Sequence, residues 1–130
     1  MINFNGARMI QLNPVQGRVM NDNILKGMIN NLTKSAEQKL SDISDYAPVS
    51  TSFYANNKDY KAVALCISQD EDKFSGHMLE IAVLDSRKQE YKRPLVYGDK
   101  NVILSYLKDK NVVKNIKQDF NAILQDIKNT

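Results

Sequence analysis

The sequence predicts an α+β domain: an N-terminal helix, a three- to four-stranded antiparallel meander, and two C-terminal helices packed on one face of the sheet. Three observations predict it. Apolar residues recur at three- and four-residue steps before position 44 and again after position 99, but between positions 49 and 93 the period is two. The connections inside that middle block are short and rich in turn-forming residues, which joins neighbouring strands antiparallel. Finally, 130 residues with 42% hydrophobic and 25% charged side chains suit one domain with one core.

Residues 1–20 form an N-terminal arm or short strand carrying Phe4, Met9, Ile10 and Leu12, with a turn at Asn13-Pro14. The single domain occupies residues 21–130. Its first helix runs from Asp22 to about Ser44. Ile24, Leu25, Met28, Ile29, Leu32, Ala36, Leu40 and Ile43 make one apolar stripe, and Lys26, Asn30, Lys34 and Glu37 take the wet face. Asn21 or Asp22 is placed to accept hydrogen bonds from the first amides. Pro48 prevents the helix from continuing.

In the first strand of the meander, Val49, Thr51 and Phe53 alternate with Ser50, Ser52 and Tyr54, and residues 56–59 supply the turn. Residues 60–68 are apolar on both faces: Val63, Leu65 and Ile67 on one, Ala62, Ala64 and Cys66 on the other. A strand without a polar face belongs in the middle of a sheet. After a polar turn, residues 78–85 make the next strand, and a tight turn at residues 85–88 leads into residues 89–93, where Pro94 is expected to end the sheet. Asp99 can cap a short helix carrying Val102, Ile103, Tyr106 and Leu107. Asn111 can cap a longer one carrying Val113, Ile116, Phe120, Ile123, Leu124 and Ile127.

Chemistry is sparse. The chain lacks a phosphate-binding glycine loop, a nucleophile elbow and a His-Glu-x-x-His zinc motif. One cysteine excludes an internal disulfide, and one histidine beside it leaves little for a transition-metal site. Asp70-Glu71-Asp72 reads as a solvated acidic turn, without the spacing of a calcium loop. Cys66 and His77 flank one turn and would make a nucleophile–base pair if they shared a face. Register decides against it. Pairing Val63, Leu65 and Ile67 with Val83, Ile81 and Leu79 gathers the large aliphatics on one face and separates Cys66 from His77. A one-residue slip would bring them together but place Glu80 in the middle of the core.

The most suggestive local feature is the hairpin containing Arg87, Lys88, Tyr91, Lys92 and Arg93, where cations flank a tyrosine in the manner of a phosphate- and base-contacting surface. Lysine and arginine on an edge strand also prevent edge-to-edge pairing, and Asp85 and Glu90 dilute the field. Lys108, Lys110, Lys114 and Lys117 gather around the start of the last helix, where cations oppose the helix dipole and would suit an acidic partner. At Tyr97-Gly98-Asp99 a turn is expected to start the preceding helix, with Asp99 satisfying its amides.

A sound core beside so little chemistry favours a noncatalytic protein-interaction domain, such as an adaptor, chaperone or immunity-type partner, able to form a homo-oligomer. The alternatives are a nucleic-acid-binding accessory protein using the basic 87–93 hairpin, and an enzyme with an unrecognised site around Cys66 and His77. No cofactor or metal is implied. The net charge of +3 is small for a dedicated nucleic-acid binder. No apolar run is long enough to span a bilayer, and Asn3, Asn5, Arg8 and Gln11 interrupt any signal-peptide core, so a cytoplasmic protein, or one exported without a Sec-type signal, is expected. The helix–strands–helices order resembles that of several small families, among them secretion chaperones, bacterial immunity proteins and phage accessory proteins. No motif in the chain belongs to one of them in particular.

Overall fold

The computed structural model describes residues 9–11, 19–39, 49–55, 57–69 and 76–130. In chain order these form a short strand β1 (Met9–Gln11), helix α1 (Asp22–Lys39), strands β2 (Val49–Tyr54), β3 (Tyr60–Gln69), β4 (His77–Asp85) and β5 (Glu90–Gly98), and helices α2 (Lys100–Lys108) and α3 (Val112–Lys128). Leu40, Ile43, Pro48, the Asn13-Pro14 turn and the Asp70-Glu71-Asp72 cluster lie outside the described residues.

β2 to β5 make one antiparallel meander whose spatial order follows the chain. β1 adds a fifth strand, parallel to β2, with Ile10 opposite Thr51. Three residues are too few for a period of two to register, which is why the sequence predicts at most four strands in the meander and leaves β1 open.

The sheet has two unlike faces because its residues alternate. On one, Val63, Leu65 and Ile67 of β3 stand opposite Val83, Ile81 and Leu79 of β4, and Phe53 and Val49 of β2 extend the layer. All three helices cover this face with Leu25, Met28 and Leu32 from α1, Ile103 and Leu107 from α2, and Ile116, Phe120 and Ile123 from α3. Each such large side chain removed from water contributes roughly 1.5–3 kcal/mol before the entropy of ordering is subtracted. The ring of Phe120 meets Tyr60 edge to face at 5.4 Å, and the Tyr60 hydroxyl accepts a hydrogen bond from the Met20 amide at 2.7 Å, pinning the chain just ahead of α1. The opposite face carries small residues, Ala62, Ala64, Cys66 and Ala82, all buried, with Tyr54 and Leu84 packed beside them.

Caps follow the sequence in part. Asn21 caps α1, its Oδ1 accepting from the Ile24 amide at 2.9 Å, and Asp99 caps α2, accepting from the Val102 amide at 3.0 Å. The Asn111 side chain makes no such bond at α3, contrary to expectation; the backbone N–H of Asn111 donates instead to Asp109 Oδ1 at 2.7 Å. The other correction concerns Pro94, which does not end β5. The strand runs on to Gly98, and Pro94 lies opposite Glu80 beside a bulge, since Leu79 faces Val96 and leaves Leu95 as the extra residue. β5 is an edge strand, so one row of its backbone groups faces no neighbour and a missing N–H there removes no ladder bond. Gly98 then lets strand meet helix, since a Cβ at that position would lie 2.5 Å from Val102 Cβ.

Among the core residues, Thr51 stands out. It is fully buried on the helix-covered face between Val49 and Phe53, and its hydroxyl has no hydrogen-bond partner. A buried hydroxyl left unpaired costs about 1–3 kcal/mol. Thr51→Val removes it at nearly constant volume and is expected to raise the unfolding free energy in urea by about 1 kcal/mol. A loss of similar size would show that the hydroxyl is satisfied in solution.

Candidate functional site

The 87–93 hairpin is organised by the carboxylate of Asp85, which is 1% exposed. Its Oδ1 accepts from the amides of Arg87 at 2.9 Å and Gln89 at 2.8 Å, while its carbonyl accepts from the Lys88 amide at 3.0 Å. Lys88 takes the left-handed conformation, φ 66°, that this kind of turn demands and that glycine more often fills. Three of the four cations then find internal partners. Arg87 Nε lies 3.7 Å from Asp85, Lys92 Nζ lies 4.0 Å from Glu90, and Arg93 Nε donates to Asp119 Oδ1 of α3 at 3.0 Å.

The strand pleat also divides the five hairpin candidates. Tyr91 and Arg93 stand opposite Val83 and Ile81 and therefore lean toward the helical layer, where Tyr91 packs against the core. Lys92 stands opposite Ala82 on the other side of the sheet. The sequence brings Arg87, Lys88, Tyr91, Lys92 and Arg93 together along the chain, but the fold does not gather them on one surface.

Cys66 and His77 are likewise apart. Cys66 pairs with Glu80, and His77 pairs with Gln69, three positions further along the ladder and on the opposite face. Burial pushes the Cys66 thiol up to about 12, and the neighbouring Glu80 carboxylate adds to the effect. Burial also holds the His77 imidazole below its ordinary value, partly opposed by Asp99. Glu80, itself buried, is raised above the usual carboxylate range by desolvation, with Lys92 pulling the other way. Burial shifts each of the three toward its neutral form.

Among the described residues a concave surface lies elsewhere, in the helical layer. Between α1 and the corner where α2 meets α3 run two adjoining clefts of about 510 Å³ and about 420 Å³. Lys26, Lys110 and Val113 line both. Asp22, Lys114 and Lys117 complete one end; Ile29, Thr33, Leu107 and Lys108 complete the other. Two of the five lysines are paired across the groove, Lys117 with Asp22 at 2.9 Å and Lys108 with Glu37 at 3.4 Å. The cluster at 108–117 was visible in the sequence. The participation of Lys26 was not, because position 26 reads only as the wet face of α1 and nothing local says what lies across from it.

Among the described residues no His, Cys, Asp and Glu group is arranged to hold a metal ion, and no helix is long and apolar enough to cross a membrane. No family model, curated protein or solved structure matches the chain.

The geometry of Cys66 carries a direct expectation. A thiol with its pKa raised and its surface buried should react with an aromatic disulfide reagent at least about a hundredfold more slowly in the native protein than in denaturant. Equal rates in the two states would mean that the second face of the sheet is open.

Proposed function

We propose that this chain is a noncatalytic protein-binding domain whose working surface is the helical layer. The observation that carries the reading is the groove between α1 and the α2–α3 corner, a long concavity rimmed by lysines, of which Lys26, Lys110 and Lys114 have no carboxylate partner among the described residues. Binding requires shape and complementary charge; catalysis requires reactive groups held within hydrogen-bond reach of one another, and Cys66 and His77 stand on opposite sides of the sheet. The hairpin plays a supporting part in this reading. Its Lys, Arg and Pro residues, together with the bulge at Leu95, keep the exposed edge of β5 from pairing with other strands.

The test compares three forms of the full chain: the parent, a variant with Arg87, Lys88, Lys92 and Arg93 all changed to Ala, and a variant with Lys26, Lys110 and Lys114 all changed to Gln. Each is assayed for protein capture and for retention of RNA and DNA at two salt concentrations. The helical-layer variant is expected to lose protein capture while the hairpin variant keeps it. Loss confined to the hairpin variant, and consisting of salt-sensitive nucleic acid, would contradict the reading.

A further inference from the structure

We infer that the groove between α1 and the α2–α3 corner takes an acidic, extended segment of a partner polypeptide. The inference deepens the protein-binding reading above by naming the chemistry of the occupant.

Charge is the first argument. Among the described residues, five lysines border the groove and Asp22 is the only carboxylate in its lining. With Lys117 and Lys108 already bonded to Asp22 and Glu37, three remain: Lys26 from one wall, Lys110 and Lys114 from the other. Among the described residues no carboxylate lies within ion-pair distance of these three. The start of α3 reinforces the field, since its first turn holds no acidic residue and the positive end of its dipole faces the same space. Like charges gathered along a cleft raise the local potential beyond what the chain's net charge of +3 suggests.

Dimensions are the second. Along α1 the groove extends from Asp22 to Thr33, eleven residue steps, or about 16 Å at the helical rise. About five residues of extended chain cover that distance. Carboxylates at alternate positions of such a chain repeat every ~6.6 Å on one side, and Lys110, in the turn between α2 and α3, and Lys114, in the first turn of α3, both face this track. The floor is made by Ile29, Leu107 and Val112, all nearly buried, so the groove offers a narrow cationic track more than an apolar slot.

Composition separates a polypeptide from a nucleic acid. Among the described residues no aromatic side chain lines the groove. Single-stranded nucleic acids are held largely by bases stacked on aromatic rings, which a track of lysines does not provide.

The probe is a fluorescein-labelled pentaglutamate peptide, compared with its pentaglutamine counterpart by fluorescence anisotropy on the full chain at about 50 mM and about 200 mM salt. The glutamate peptide is expected to bind about tenfold or more tightly than the glutamine peptide at low salt, and to weaken at the higher one. The combined variant Lys26→Gln, Lys110→Gln, Lys114→Gln should lose at least about fivefold of that affinity with its thermal midpoint unchanged, since none of the three is engaged in the fold. A control variant, Lys58→Gln, Lys88→Gln, Lys128→Gln, carries the same change in net charge away from the groove and should bind like the parent. Equal losses in the two variants would reduce the effect to net charge and overturn the inference. Failure of the parent to prefer the glutamate peptide would overturn it too, leaving the wider protein-binding reading to its own test. A thymidine pentanucleotide bound more tightly than the peptide through the same three lysines would overturn both.

Discussion

The burial of β3 on both faces is the constraint from which the rest of the structure follows. Val63, Leu65 and Ile67 are fully buried under the helices, and Ala62 and Ala64 are fully buried on the other side, with Cys66 at 3%. Such a strand cannot lie at an edge and cannot shift. A slip of one residue against β4 would turn the large aliphatics toward a face built for alanine and bring the Glu80 carboxylate under the helices, where an ionised group is expensive. With β3 fixed, β2 and β4 are fixed as its neighbours, β5 becomes the edge, and all three helices are assigned to the face with the larger side chains. The separation of Cys66 from His77 follows from the same register.

Charge in this molecule is organised by position in that frame. At the hairpin and edge strand Arg87, Lys92 and Arg93 lie near carboxylates of their own neighbourhood, Asp85, Glu90 and Asp119, in geometries whose contribution at the surface is small, about 0–1 kcal/mol each. In the helical layer the balance is different. Lysines from two separate segments face one another across a groove, and the two carboxylates that answer them satisfy only the ends. Lys26, Lys110 and Lys114 add little to stability where they stand, which is what a surface reserved for another molecule would show. The functional reading rests on this contrast between cations spent within the fold and cations left facing solvent.

Much of this architecture was legible in the sequence, for reasons that can be located. The doubly apolar run at 60–68 marked the central strand, the three- and four-residue steps marked the helices, and the need to keep Glu80 out of the core selected the β3–β4 register. Local rules failed where the tertiary context overrides them. Pro94 reads as a stop, but an edge strand with a bulge carries it. Asn111 reads as a cap, but its backbone N–H is turned to Asp109. For the candidate site the limit is sharper. The lysines at 108–117 were visible as a cluster, whereas the groove exists only because α1 crosses in front of them, and no pattern within residues 22–39 announces that neighbour.

The most direct test of the frame is native-state hydrogen exchange resolved to single amides. If β3 is the buried centre on which every other element depends, the amides of Val63 to Ile67 should exchange only through global unfolding and be the slowest in the molecule, with those of the β5 edge opening earlier. Exchange in β3 as fast as in β5 would contradict the account, because a strand that opens locally cannot be the one that sets the register of the sheet.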